Sequence, residues 1–508
     1  MQFSLFLIVA TALFSSLCCH ARLAMSDELS LENAIESIKL QEVREHTDIL
    51  ADDAFEGREA GKPGGYAAAT YIIKALEKHK IAAAGEKETY FQTFGQFRNI
   101  LAVIPGTDPE LANEHILVSA HYDHVGYGSK KSSKGPIGAI HNGADDNASG
   151  VSGLLELGEA IQRYHPQLSR TILLVFWDAE EKGLLGSKHW LKNPTVDLQS
   201  VRLMVNVDMI GRMREELYLY GTRTMPGLRE AWSHANKSNN VELQFPWEIV
   251  NNSDHYEFFL RQIPITMVHT GLHDDYHSPS DDVERLNLRG IENTTELMTH
   301  FLVSIANREE IPAFRNQSMV EGKREKRYYE REFRNQQRRL GLTVRTREPN
   351  EGLHVVSVVV DSNAGKAGIA PGDKVLEANG KKMNATQDFR EQIFAAKESI
   401  KLTLQTKDGE KTLDVPLVGR RQRVGLAWRT NDAEPGVIML SNVRLGSPAA
   451  AAGFKRFDRI YEIDGEADLD SDKFRELVNS DEDNLEFLVE RSGRFETITL
   501  SLDSVADQ

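Results

Sequence analysis

HILVSAHYDH, residues 115–124, joins an unbroken apolar run to two imidazoles and a carboxylate. The run is continuous rather than alternating, which is the pattern of a strand buried on both faces. Similar runs occur at Asn99 to Pro105 (NILAVIP), Thr171 to Trp177 (TILLVFW) and Leu203 to Met209 (LMVNVDM). Between them, Gly65 to His79 (GYAAATYIIKALEKH) and Ser149 to Tyr164 repeat Ala, Leu and Ile at helical spacing. Strands alternating with helices place residues 28–310 in the α/β class, with a central, mostly parallel mixed sheet covered by helices.

At 508 residues the chain is too long for one core, and its formal charge of −16 argues against a phosphate-tracking surface, so no nucleic-acid partner is expected. Residues 1–21 (MQFSLFLIVATALFSSLCCHA) read as a signal peptide cleaved after Ala21, which predicts an exported protein, periplasmic or secreted. The segment has no basic n-region, so a retained membrane anchor is the alternative. Both cysteines, Cys18 and Cys19, fall inside it, so a processed chain has neither a disulfide nor a Cys-ligated metal.

Residues 311–339 change to a charged, mostly basic composition and read as an exposed helical linker with a solvated face. Beyond it the chain repeats. AGIAPGDKVLEANG at 367–380 and AGFKRFDRIYEIDG at 452–465 align without a gap, 85 residues apart. Each copy follows a Gly-Leu step, in LGLTV at Leu340 to Val344 and VGLAW at Val424 to Trp428. Two small β-rich modules are therefore expected, over 340–420 and 421–505.

The chemistry-bearing residues lie where strands end. His121-Tyr122-Asp123-His124 closes one, Asp178-Ala179-Glu180-Glu181 another and Asp208 a third; Asp145-Asp146 opens a helix, and Asp275-Tyr276-His277 lies further on. In open α/β sheets, sites form outside the carboxyl ends of strands, so these clusters are expected to converge. Imidazoles and carboxylates without thiolate suit zinc or another divalent ion, and two such ions need a bridging carboxylate. A further carboxylate must then take a proton from water, and adjacent Glu180 and Glu181 offer a base and a ligand. Singly, each cluster reads as a cap or a surface pair. Their order and their common position at strand ends point to one site.

From about Leu50 to Asn307 the order, spacing and flanking residues resemble the bacterial dizinc aminopeptidases of clan MH, a fold shared by glutamate carboxypeptidase II, transferrin receptor and glutaminyl cyclase. The resemblance implies a zinc exopeptidase fold and two Zn2+ ions. It implies His121, Asp146 and Asp208 on one ion and Asp146, Glu181 and His277 on the other, with Asp146 bridging. The resemblance favours Asp146 over Asp145, because the family's bridging Asp stands three residues before a Ser-Gly and Asp146 stands three before Ser149-Gly150. Glu180 is then the general base acting on a metal-bridging hydroxide. Asp123 resembles the family's carboxylate that accepts the second ring N–H of the first His ligand, here His121, and Tyr276 sits where some members place a phenol facing the oxyanion. A cis peptide at Asp146–Asn147 is also implied. Ser253-Asp254-His255 takes a supporting role, and His124, His141, His189 and His273 are left as surface or core histidines.

The two repeats resemble PDZ domains, with Leu340 to Thr343 and Val424 to Ala427 as carboxylate-binding loops that hold a C-terminal peptide as an added strand. A packing module without ligand is the alternative. The implied activity is removal of N-terminal residues from peptides. The alternatives are a carboxypeptidase-like hydrolase, a glutaminyl cyclase, which needs fewer ligands than this chain retains, and a non-catalytic peptide-binding protein.

Overall fold

The structure is a computed structural model that describes residues 30–331, 339–347, 352–418, 424–480 and 482–502. The expected leader at 1–21 lies outside the described residues, as do 332–338 of the charged stretch, 419–423 between the repeats and the last residues of the second repeat. The chain divides into two compact units, the first up to Gly322 and including Ser492–Arg494, the second holding the rest from Lys323 on.

The first unit is built on a nine-stranded sheet of β1 (Ala82–Ala83), β2 (Phe91–Phe94), β3 (Phe97–Ile104), β4 (His115–His121), β5 (Thr171–Trp177), β6 (Val201–Val207), β7 (Glu216–Tyr220), β8 (Glu242–Gln244) and β9 (Ile265–His269). Its order is β1-β3-β5-β4-β6-β9-β7-β8, with β2 paired to β3. The centre, β5, β4, β6 and β9, runs parallel, while β3 and β7 join antiparallel. The sheet is the mixed one with a parallel centre that the sequence predicts.

Successive residues of a strand point to opposite faces, so a run apolar at every position feeds two cores. Along β5, Ile172, Leu174 and Phe176 enter one core, whereas Leu173, Val175 and Trp177 enter the other. The first core is covered by helices α1 (Leu31–Ile35), α2 (Leu40–Leu50), α3 (Pro63–Lys78), α4 (Gly150–Tyr164), α6 (Leu228–Ala235) and α8 (Leu288–Ala306), and the second by α5 (Leu185–Lys192) and α7 (His255–Phe259). Trp232 stacks on Phe301 at 3.8 Å in the first, and Trp177, Trp190 and Phe258 form a triangle in the second. Helices on both faces leave the strand ends as the open rim.

Residues 311–321, assigned above to an exposed linker, pack with the first unit. Ile311 is 1% exposed, and the Glu321 carboxylate is gripped by Arg223 at 2.8 and 2.9 Å. Among the described residues of the linker, the α-helix covers only α9 (Lys323–Tyr329). The composition of this stretch hid a buried end, because one arginine-matched glutamate looks like any other charge in sequence.

In the second unit the repeat becomes two antiparallel modules of the same plan. The first holds β10 (Leu342–Arg345), β11 (Leu353–Val358), α10 (Asn363–Lys366), β12 (Lys374–Ala378), β13 (Lys381–Lys382), α11 (Thr386–Ala395), β14 (Ser399–Thr406) and β15 (Gly409–Pro416). The second holds β16 (Leu426–Asn431), β17 (Glu434–Val443), α12 (Pro448–Ala451), β18 (Arg459–Ile463), α13 (Ser471–Val478), β19 (Asn484–Arg491) and β20 (Arg494–Ser501). The sheet orders β10-β11-β12-β14-β15 and β16-β17-β18-β19-β20 correspond strand for strand. The equivalent Gly341 and Gly425 both have φ of 83° and lie against the N-cap serines of α10 and α12. A Cβ there would come within 2.0 and 2.2 Å of the Cβ of Ser362 and Ser447. Glycine is required twice for the same reason.

Candidate metal centre

Three parallel strands deliver the site. His121 is the last residue of β4, Asp208 follows the end of β6, and Glu180 and Glu181 follow β5 by a short turn. Asp146 arrives from the segment before α4, and His277 from the loop after β9. Ala179, Met209 and His277 itself adopt φ of 59°, 54° and 53°. Non-glycine residues rarely take that conformation, at a cost on the order of 1 kcal/mol or more each, and such residues cluster at functional sites. Here the turn at Ala179 carries two consecutive glutamates into the site.

Asp146 divides its carboxylate between two groups. Its Oδ1 lies 3.2 Å from His121 Nε2, which is 3.5 Å from Asp208 Oδ1. Its Oδ2 lies 3.0 Å from His277 Nε2, which is 3.1 Å from Glu181 Oε1. Donors about 2.0 to 2.2 Å from a tetrahedral zinc stand roughly 3.3 Å apart, so both trios have the spacing of a ligand set. The five residues implied as ligands come together, with Asp146 common to both groups. The Asp146–Asn147 peptide is cis.

The histidines face the trios through Nε2 and are anchored through Nδ1. His277 Nδ1 donates to the Ser132 carbonyl at 2.7 Å, and His121 Nδ1 to the Asp123 carbonyl at 3.1 Å. Main-chain carbonyls only accept, so they fix the tautomer that leaves Nε2 for a cation. The Asp123 carboxylate is 3.9 Å from His121 Nδ1 and instead accepts the Glu180 N–H at 2.9 Å. The expected carboxylate–imidazole bond is thus replaced by a carbonyl–imidazole bond, and the Asp123 side chain orients the Glu180 turn.

The electrostatics call for cations. Among the described residues no Lys or Arg forms an ion pair with Asp146, Glu181 or Asp208, all of them buried or nearly so. Burial depresses the His277 imidazole, yet Asp146 and Glu181 override it and push it up to about 10. Burial likewise opposes the charge of Asp146, and hydrogen bonds from His121 and His277 nevertheless hold its carboxyl well below the usual range. Without a metal ion the imidazoles must supply the positive charge that buried carboxylates require. The donor types, their spacing and this charge deficit all fit divalent ions of the zinc type.

Glu180 is 9% exposed and belongs to neither trio. Burial, reinforced by Glu181, Asp254 and Asp208 against the pull of His121, holds its carboxyl well above the ordinary range. Tyr276 stacks on the His277 ring at 3.9 Å with the Lys134 ammonium 4.2 Å from its ring centre. Burial and the surrounding carboxylates raise its phenol far above its ordinary value.

Asp145 faces away from the trios. Its oxygens accept the Gly211 N–H at 2.6 Å and meet His273 Nε2 at 3.1 Å. His273 therefore orients a carboxylate, His189 stacks on Phe94 at 4.7 Å, and His141 meets the Ser133 hydroxyl at 2.7 Å. His124 departs from its expected role: it is buried in the site, with Nδ1 3.0 Å from Glu181 Oε1 and 3.8 Å from Asp146 Oδ2. Gly143 makes room for it, since a Cβ there would stand 2.4 Å from His124 Cδ2. Asp254 and His255 are fully buried, with Asp254 raised to about 7 by burial first and by Asp208 and Glu257 among its neighbours.

Two supports were not foreseen. Asp281 accepts the N–H groups of Asp145 and Asp146 at 3.0 and 3.1 Å. Arg58, fully buried, donates to the carbonyls of Leu50, Tyr122, Asn142 and Gly143 at 2.6 to 2.9 Å, joining the His121 loop to the Asp146 turn. The only sequence hint for Arg58 was its place in FEGREAGKPGG. Arg58→Ala orphans these carbonyls and is expected to cost more than about 3 kcal/mol. Urea unfolding of the first unit, followed by tryptophan fluorescence, would register this, and a midpoint unchanged from the parent would contradict it.

Comparison with known proteins places this site in context. Residues 99–302 match the model of peptidase family M28, and residues 338–417 match that of the PDZ domain. Leupeptin-inactivating enzyme 1 of Streptomyces exfoliatus is 28% identical over 241 residues, which is 46% of this chain and 50% of that protein. A probable leucine aminopeptidase of Arthroderma otae is 32% identical over 174 residues, 32% of this chain and 43% of that one. The chain thus spans about half the length of the curated relatives it matches. Among solved structures, the LapA aminopeptidase of Legionella pneumophila aligns over 55% of this chain and 74% of its own with a TM-score of 0.46 and 20% identity.

Proposed function

We propose that this chain, which carries a peptidase family M28 domain and a PDZ domain, is an exported zinc-dependent aminopeptidase that removes N-terminal residues from peptides. The observation that carries this reading is the division of one carboxylate, Asp146, between two ligand trios. Similarity to a protein named leucine aminopeptidase favours apolar N-terminal residues, and the apolar leader at 1–21 favours export.

Bound at the two trios, a pair of zinc ions would polarise the scissile carbonyl and acidify water. The protein's own groups manage the protons and the charge. Glu180, oriented through the Asp123 bond to its N–H, takes a proton from water. Its raised affinity for that proton suits it to hold the proton until the leaving amine accepts it. Tyr276 stays protonated and offers its hydroxyl to the developing oxyanion. The His121 and His277 anchors keep both Nε2 atoms aimed without rearrangement.

The first module of the second unit is read as a peptide-binding PDZ domain, with Gly341 at the centre of its carboxylate loop.

The test compares leucyl-p-nitroanilide with its N-acetyl form, before and after chelation. Chelation is expected to abolish release from the free-amine substrate and added zinc to restore it, while acetylation lowers kcat/KM at least about a hundredfold. Equal cleavage of the acetylated substrate would rule out an aminopeptidase. Activity indifferent to exhaustive chelation would rule out the metal.

A further inference from the structure

The two modules of the second unit differ where the repeat sets the same position side by side. Val344 on β10 corresponds to Trp428 on β16, and Phe389 on α11 to Phe474 on α13. In the second module the Trp428 ring packs edge-on against Phe474 at 4.7 Å and fills the space between strand and helix. In the first, the smaller valine leaves that space open. A cavity of about 330 Å³ runs between β10 and α11, floored by Leu340, Leu342, Phe389 and Ile393.

This cavity is not closed by the first module alone. Arg444 and Leu445, from the second module, form one wall. The junction is tight: a Cβ on Gly446 would meet the Arg390 carbonyl carbon at 2.8 Å, and one on Gly425 would meet Phe394 Cε2 at 3.2 Å. The second module's loop is therefore seated on α11, and Arg444 is carried with it.

The charges around the cavity are basic and unequally committed. Arg339, just before the Gly341 loop, gives its guanidinium to the carbonyls of Ile393, Ala396 and Lys397 at 2.7 Å each, which caps the end of α11. Arg444 is half-buried, its guanidinium has no hydrogen bond or ion pair among the described residues, and burial alone lowers its pKa. A half-buried guanidinium without an acid is costly unless something anionic arrives. The open neighbour of Arg444 is the apolar cavity beside a loop whose glycine has a φ of 83°.

We propose that Arg444 of the second module is the countercharge for the terminal carboxylate of a peptide held in the groove of the first module, so that the two modules form one site for a C-terminus with an apolar last side chain. The inference rests on the peptide-binding reading of the first module and adds to it a cation from outside that module. It also assigns the division of labour: the second module, its own groove filled by Trp428, contributes to binding through Arg444 and Leu445.

The experiment uses the full chain and N-terminally fluorescein-labelled decapeptide pools, whose blocked amines resist trimming. Each pool ends in Val, Leu, Phe or Asp, as free acid or amide, and affinity is read by polarisation. Free acids ending in Val, Leu or Phe are expected to bind at least about tenfold more tightly than their amides, the scale of one charge-assisted hydrogen bond. Arg444→Ala is expected to remove about tenfold of that preference by weakening the acids and sparing the amides, and Arg444→Lys to retain most of it. Arg475→Ala, near the filled groove, changes nothing, whereas Ile393→Glu abolishes binding. If Arg444→Ala keeps the full acid preference, the role of Arg444 is overturned while the groove stands. If acids and amides bind alike, no pool binds, or Ile393→Glu binds normally, the groove reading falls and the proposal with it. Should Arg444→Ala unfold, Arg444→Gln decides, since it keeps much of the side-chain bulk and removes the charge: loss of about tenfold of the acid preference upholds the countercharge, and a folded Gln variant with the full acid preference rejects it.

Discussion

Glu180→Gln is expected to leave the metal content of the protein unchanged and to lower kcat at least about a hundredfold, the range for removing a positioned proton-transfer group. The substitution keeps the shape of the side chain and its main-chain N–H bond to Asp123, so the turn that brings Glu181 into the second trio is undisturbed. What is lost is the ability to accept a proton in a buried setting where the carboxyl is held well above its usual range, by burial first and by its anionic neighbours second. Parallel measurement of kcat and bound zinc separates the two roles. Turnover near that of the parent would remove Glu180 as the base, and a fall in zinc content would make it a ligand.

Asp146→Asn has a different expected outcome, because Asp146 is the one residue common to both trios. An amide keeps one oxygen and puts a nitrogen donor in place of the other, so one trio gains a clash of donor with cation and both lose the shared negative charge. Affinity at both metal positions is expected to fall together, by more than about a hundredfold each given that removing mere outer partners of ligands costs 10- to 100-fold, with activity lost at any practical zinc concentration. Asp208→Asn and Glu181→Gln touch one trio each and should weaken one step of a zinc titration while sparing the other. Calorimetric titration of the three variants resolves this. Two intact binding steps in Asp146→Asn would mean that no carboxylate is shared.

Much of the site was legible before any coordinates. Continuous apolar runs marked β3, β4, β5 and β6, since a strand with a core on each face has no reason to alternate. Their ends carried the clusters that hold His121, Glu180, Glu181 and Asp208, because a sheet covered on both faces leaves its carboxyl edge for chemistry, and the family resemblance implied which members of each cluster act. The choice between Asp145 and Asp146 came from the family resemblance, whose bridging Asp precedes a Ser-Gly by three residues, and the structure turns Asp145 toward Gly211 and His273 while Asp146 enters both trios. The repeat spacing of 85 residues likewise foretold two modules of one plan.

Other parts were illegible for a physical reason. His124 and Arg58 act through neighbours distant along the chain: His124 reaches Glu181 across 57 positions, and Arg58 reaches Gly143 across 85. Nothing local distinguishes a histidine near a strand end, or an arginine in a turn, from its solvated counterparts. Asp281 and the fold-back of Glu321 onto Arg223 share this property. The exchange of partners at Asp123, carbonyl to His121 and carboxylate to Glu180, is decided by rotations about single bonds that spacing does not encode.

Local sequence thus determined which segments are strands, which acids and imidazoles stand at their ends, and that the tail is a duplicated module, because periodicity and burial are properties of neighbouring residues. Only tertiary structure decided that His124 lies beside Glu181, that Arg58 ties the His121 loop to the Asp146 turn, and that Arg444 of one module walls the groove of the other. Those arrangements depend on ångström-scale distances between remote residues, which packing sets and linear order does not.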